Sequence, residues 1–209
     1  MFRQVLTGAQ QTVLELLSRI PEIRTFYLAR GTGLALHLGH RRSEDFDFFR
    51  ARALVPQDLL TVLRGIGELV VLQEATGTLT VRLQGVATSF FQYDYPLLRP
   101  LRESPWNVPL ADPDDIAAMK LAAVAGRGSR KDFVDLYVYA RNVAPLRQAL
   151  AWFRDKYRGV TVDPYHVLRS LTFFDDAEAE AMPELLIALT WDEIKAFFRA
   201  EAARLFRSL

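Results

Sequence analysis

Two aspartates, Asp45 and Asp47, stand one residue apart in the run Asp45-Phe46-Asp47-Phe48-Phe49. In an extended strand alternate side chains share a face, so both carboxylates point the same way. Two neighbouring acids repel each other unless a cation lies between them. Hard oxygen donors in this number suit Mg²⁺ or Mn²⁺, which takes one or two carboxylates and completes its shell with substrate phosphate. The flanking phenylalanines mark the strand as interior. Upstream, Arg30-Gly31-Thr32-Gly33 breaks the apolar run Ile23–Leu28 and precedes Leu34–Leu38. A strand, a glycine turn and a helix in that order offer backbone N–H groups and a helix N-terminus to phosphate, and Thr32 adds a hydroxyl. Together these residues predict a site for a metal-bound triphosphate.

A second group sits on a helix. Asp112 is a good N-cap, Pro113 suits the first turn, and Asp115 extends the capping pattern. From Ile116 to Ala125 the chain reads IAAMKLAAVA, with Lys120 as its one polar side chain. A helix apolar all round is buried, and a buried ammonium is costly unless it meets a carboxylate or a phosphate. Lys120 is therefore a candidate for neutralising phosphate charge. Its plain alternative is to snorkel to water along its stem. A third group is Arg127-Gly128-Ser129-Arg130-Lys131-Asp132-Phe133-Val134-Asp135. Ser129 fits an N-cap, and Asp132 and Asp135, at i and i+3, share a helix face. Acids in a first turn also favour the helix dipole, which is the structural explanation for both. The glycine here follows no strand and reads as an interhelical turn. Gly39-His40-Arg41-Arg42 makes a basic loop ahead of the acidic pair. Arg41, Arg42, Arg127 and Arg130 are candidate contacts for phosphate or an RNA acceptor. Asp94 is either a third metal ligand or a turn former; His37 reads as core.

The elements that must position these groups follow from composition and periodicity. The chain has 209 residues, 50% hydrophobic and 24% charged, with 26 Lys+Arg against 25 Asp+Glu. That composition folds rather than staying disordered, and the near-zero net charge creates no global field toward nucleic acid or membrane. There are no cysteines, which excludes disulfides, zinc thiolates and a Cys nucleophile and fits a cytoplasmic protein. The N-terminal segment is amphipathic rather than a signal peptide, and no apolar run reaches the roughly 18 residues of a membrane span. The pattern predicts a helix over 7–19, strands over Ile23–Leu28 and Phe46–Phe49, a helix over 56–65, and strands over 68–73, 78–84 and 86–93. Pro96, Pro100, Pro105 and Pro109 space out a connector. Helices follow over 112–126, 129–141, 145–157, 164–173 and 191–207. The expectation is an α+β chain: a mixed-sheet core over 1–100, then a helical C-terminal lobe over 101–209 that closes a cleft.

With these groups in this order, the chain resembles the AbiEii/AbiGii-type nucleotidyltransferase toxins of the DNA polymerase β superfamily. The resemblance is carried by YLARGTGLALHLGHRRSEDFDFF (27–49) and DPDDIAAMKLAAVAGRGSRKDFVDLY (112–137). It implies a nucleotidyltransferase fold, Mg²⁺-dependent transfer of a nucleoside monophosphate from an NTP to an RNA (tRNA-like) or protein acceptor, a cognate antitoxin and a part in abortive infection. By the same resemblance, Gly31 and Thr32, with Arg30, look like the phosphate-gripping turn and Asp45 and Asp47 like metal ligands. Lys120 looks like the triphosphate lysine. Asp132 or Asp135 looks like the late acid that orients the lysine or acts as base. Two departures stand out. Arg30 replaces a usual glycine, and the superfamily's third metal carboxylate is absent, with Ser89 or the out-of-phase Asp94 in its region. A catalytically degenerate nucleotide- or partner-binding module is the alternative that these departures leave open.

Overall fold

The computed structural model describes residues 1–160 and 163–207. Thr7 opens helix α1 (Gly8–Ser18) through a reciprocal capping box with Gln10, and Val13, Leu14 and Leu17 form its buried stripe. The segment read as a long strand divides. Pro21 at the first helical position starts a 3₁₀ turn over Pro21–Thr25, and only Tyr27–Leu28 remain as β1. Helix α2 (Arg30–Leu38) begins at once, with Arg30-Gly31-Thr32-Gly33 as its first turn rather than as a separate loop. Gly39, at φ +67°, ends it in the left-handed conformation that a side chain resists.

Five strands form one sheet in the order β1-β2-β5-β4-β3. Strand β2 (Asp45–Arg50) runs antiparallel to β1 and parallel to β5 (Val86–Gln92). Between them the chain passes through α3 (Pro56–Leu63) and the antiparallel strands β3 (Leu69–Ala75) and β4 (Thr78–Leu83). Phe46 and Phe48 lie on one face, in a core with Phe90, Leu79, Val81 and the α1 stripe. The opposite face carries Asp45, Asp47 and Phe49, and Phe49 packs with Leu34 of α2 and with Ile116 and Met119 of the next helix.

The proline-rich connector does not swing free. The amide of Leu28 donates to the Pro109 carbonyl (2.8 Å), and that of Ala111 to the Leu28 carbonyl (2.9 Å). Asp115 accepts from the amides of Leu98 and Arg99, and the fully buried Lys156 joins Asp115 to the Pro96 carbonyl at 2.8 Å each. Helices α4 (Pro113–Gly126), α5 (Arg130–Asn142), α6 (Leu146–Lys156), α7 (Pro164–Ser170), α8 (Asp175–Glu178) and α9 (Trp191–Phe206) follow. They share a second core around Leu121, Phe133, Leu136, Tyr139, Leu171 and Phe198. Helix α2 packs on both α4 and α5, so the acidic strand and the lysine helix meet across it. The short α8 carries no apolar periodicity and was not legible. After it, residues 184–186 lie antiparallel to 40–42: the Arg42 amide donates to the Glu184 carbonyl and the Leu186 amide to the His40 carbonyl, both at 2.9 Å.

Candidate active site

Strand register places the acids. Asp45 pairs with Ala87 and Asp47 with Ser89, so Asp45, Asp47 and Ser89 share the face that looks toward α2 and α4. Burial raises the Asp47 carboxyl above its usual value and the neighbouring Asp45 adds to it, while Arg30 opposes both. Ser89 stands where a third acid would complete a trio, and its hydroxyl meets the Thr80 hydroxyl at 3.2 Å. Asp94 lies beyond the strand, exposed, and accepts from Gln92 at 3.1 Å. Among the described residues no three His, Asp or Glu side chains are grouped so as to hold a metal ion by themselves. Two carboxylates on one strand still fit Mg²⁺, which draws its remaining ligands from water and triphosphate.

The glycine turn sits otherwise than expected. Thr32 is buried; its hydroxyl donates to the Ser43 hydroxyl at 2.7 Å and reaches the main-chain carbonyl of Asp45. It therefore fixes the start of β2 instead of facing a ligand. Gln10 holds the same loop from α1, donating to the Ser43 carbonyl at 2.7 Å. Arg30 takes φ +50°, rare for a side chain with Cβ. Its guanidinium lies 5.2 Å and 5.1 Å from the ring centres of Phe49 and Phe91, with one nitrogen 3.7 Å from Asp47. It is the cation nearest the acidic pair on the strand side.

Lys120, in the middle of α4, is buried rather than snorkelling. Its ammonium contacts Asp132 at 2.7 Å and Asp135 at 2.6 Å. Burial alone would depress its pKa; the two carboxylates outweigh that and raise it, keeping the group charged. Asp132 also accepts from Ser129, the residue before α5, at 2.6 Å. Burial pushes the Asp132 carboxyl up, but Lys120 and the Ser129 bond bring it below the usual range. Asp135 is more heavily bound. It accepts from Arg41 through both oxygens, at 2.7 and 2.8 Å, and from His40 Nε2 at 2.8 Å. Against the cost of burial, Arg41 and Lys120 hold it well below the carboxylate range.

Of the four arginines expected at an acceptor, only Arg127 stays exposed at this place, 3.8 Å from Asp132. Arg41 is buried with its donors committed to Asp135 and the Arg42 carbonyl. Arg42 pairs with Glu184 at 2.6 Å. Arg130 turns to α8, donating to the Ala177 carbonyl and lying over Trp191. The structure thus directs Arg41, Arg42 and Arg130 to intramolecular partners, because acids and carbonyls from distant segments lie within their reach. Ser43 and Lys131 were missed, and His40 was read only as part of a basic loop. Lys131 is exposed beside Asp132, and its charge acts on Asp47. The signal for His40 and Arg41 was their position directly after Gly39, where a left-handed cap sends the chain back inward.

The whole arrangement gathers two strand carboxylates, one buried ammonium and their counter-ions where β2, α2, α4 and α5 meet. The chain has similar proteins among those already known. A family model described as "Nucleotidyl transferase AbiEii toxin, Type IV TA system" matches residues 12–207. An uncharacterised protein of Aquifex aeolicus is 36% identical over 195 residues, covering 91% of this chain and 92% of its own. Two solved structures share the fold. MenT4, a nucleotidyltransferase toxin of Mycobacterium tuberculosis, aligns with TM-score 0.63 at 19% identity, over 93% of this chain and 80% of its own. An H. pylori protein assigned to the nucleotidyltransferases aligns with TM-score 0.58 at 15% identity, over 96% and 93%.

Proposed function

The chain belongs to the AbiEii nucleotidyltransferase toxin family of type IV toxin–antitoxin systems and is a nucleotidyltransferase; from that premise we propose that it moves a nucleoside monophosphate from an NTP to a hydroxyl of an RNA, tRNA-like acceptor. The observation that carries the reading is the pairing of Asp45 and Asp47 on one strand face with the buried, charged Lys120 across α2. Asp45 and Asp47 would hold Mg²⁺ or Mn²⁺, and such an ion, when bound, screens the triphosphate and polarises the reacting phosphate.

The chain's own groups do the rest. The first turn of α2 offers its amide end to the phosphates. Arg30, already over Phe49 and Phe91, adds a cation at the entrance. The acceptor oxygen bonds to the α-phosphorus in line as the bond to pyrophosphate breaks, and the hydroxyl proton passes to solvent. Lys120 stabilises the charge that grows on the departing pyrophosphate. Asp132 and Asp135 hold the lysine; four hydrogen-bonding contacts on Asp135 leave it unsuited to act as a base. Residues 1–100, with the connector over 101–111 bonded to β1, act as the α/β core, and helices α4 to α9 as the helical part that closes the cleft. A cognate antitoxin, a cytoplasmic setting and phage defence are part of the same reading, which the family supports.

The serine at position 89 favours one second reading, a degenerate module that binds nucleotide or partner without transfer. A transfer assay with α-³²P-labelled NTPs, Mg²⁺ and total RNA separates the two. Label should enter RNA with the wild type and not with Asp45→Ala. NTP binding without transfer would favour the module; transfer by folded Asp45→Ala would refute the assignment.

A further inference from the structure

Lys120 is one cation against two buried carboxylates. Left so, the group would carry a net negative charge beside Asp45 and Asp47, and an incoming triphosphate would meet repulsion. Arg41 alters that sum. Its guanidinium forks onto both oxygens of Asp135, at 2.7 and 2.8 Å, with almost no exposure on either partner. A bidentate pair of this kind fixes geometry as well as charge. His40 adds its Nε2–H to the oxygen that also accepts Arg41 Nε, so the fork is held from two sides.

A second, independent observation concerns Gly31. A Cβ at that position would stand 2.6 Å from Arg41 Nη2 and 3.5 Å from the Ser43 hydroxyl. Gly31 is an ordinary helical residue in the first turn of α2, outside the left-handed positions of the chain. With a Cβ there the guanidinium would have to shift, and its two bonds to Asp135 leave it little freedom to do so. The glycine read as a phosphate grip is also the opening through which Arg41 reaches Asp135.

We infer that Arg41, seated by His40 and admitted by Gly31, is a positioning residue: it neutralises Asp135 so that the charge of Lys120 is free to act on the triphosphate. The inference rests on the nucleotidyl-transfer reading above. The experiment is isothermal titration of Mg·ATP, Mg·GTP, Mg·CTP and Mg·UTP into wild type, Arg41→Lys and Arg41→Gln, with circular dichroism to establish folding. Arg41→Lys keeps the charge and should bind the preferred NTP within about threefold of wild type. Arg41→Gln should bind it at least about tenfold more weakly. Gly31→Ala covers the case in which Arg41→Gln does not fold. It should weaken NTP binding in the wild-type background, and Gly31→Ala with Arg41→Lys should recover it, because the shorter ammonium clears the new methyl group. Folded Arg41→Gln with unchanged affinity overturns the inference, as does a Gly31→Ala defect that Arg41→Lys leaves unrelieved. A wild-type chain that binds no Mg·NTP refutes the nucleotidyl-transfer reading and the inference with it; wild-type binding with unchanged variants refutes the inference alone.

Discussion

Replacing Lys120 with methionine keeps the length of the stem and removes the ammonium that two acids share. The acids are not left equally exposed to the loss. Asp135 retains Arg41 and His40. Asp132 retains the Ser129 hydroxyl at 2.6 Å and the exposed Arg127 at 3.8 Å. Its side chain is 2% exposed, so it becomes the poorly compensated charge. Removing one partner of a buried pair costs about 3–5 kcal/mol, and the surviving Ser129 bond points to the lower end, about 3 kcal/mol at pH 7. For a chain of this length that is about 6–12 °C in Tm. The pH dependence identifies the cause. In the wild type Asp132 lies below its ordinary pKa, so its contribution is complete above the unfolded value of about 3.9 and disappears as pH falls through the folded one. In the methionine variant burial acts without Lys120 and raises the folded pKa. The penalty is then full above that raised value and fades as pH drops toward about 4. Urea unfolding of both proteins between about pH 4.5 and 7.5 should show the gap narrowing as pH falls. A constant gap, or a variant as stable as the wild type at neutral pH, would refute the assignment of Lys120 as counter-ion to Asp132.

Three other perturbations test the acidic side. Asp47→Asn removes a carboxylate whose pKa is raised by burial and by Asp45, so it should raise Tm by a few degrees at pH 7, an advantage lost as pH falls toward 4, while NMP transfer disappears; calorimetry and the labelled-NTP assay check the two halves. Ser89→Asp puts a third acid beside Asp47 and should strengthen Mn²⁺ binding, measured by electron paramagnetic resonance, by about tenfold or more at some cost in stability without metal. Arg30→Gly relieves about 1 kcal/mol of left-handed strain but loses two ring contacts worth roughly 0.5–1 kcal/mol each, so Tm should hold within about 3 °C while the KM for NTP rises in steady-state assays.

What could be read from the sequence was whatever depends on period. Asp45 and Asp47 share a face because a strand repeats every two residues, and Lys120 is buried because its helix has no polar side to turn outward. The acidic pair, the lysine and the late aspartates were therefore placed correctly on their elements. What could not be read depends on partners far away in sequence. Arg41 looked like a contact for phosphate or an RNA acceptor until Asp135, ninety-four positions later, arrived beside it. Thr32 looked like a ligand hydroxyl until Ser43 and the Asp45 carbonyl took it. Ile23–Thr25 has strand-forming residues, but Pro21 starts a turn there and Ile23 is buried in it. The connector looked like a boundary, yet Pro109 and Ala111 hydrogen-bond to the end of β1. Apart from the turn that Pro21 itself starts, the local pattern lost in each of these cases to a non-local contact.

The pairing of residues 184–186 with 40–42 couples two parts of the nascent polypeptide that are made far apart in time. Arg42 and Glu184 are 142 positions apart. At a synthesis rate of about 5–20 residues per second the loop ahead of Asp45 waits on the order of ten seconds for the segment that pins it. A chain made only as far as residue 183 leaves the His40 carbonyl and the Arg42 amide without the partners that later pair with them. The loop ahead of Asp45 is thus fully braced only once helices α3 to α8 have all been made.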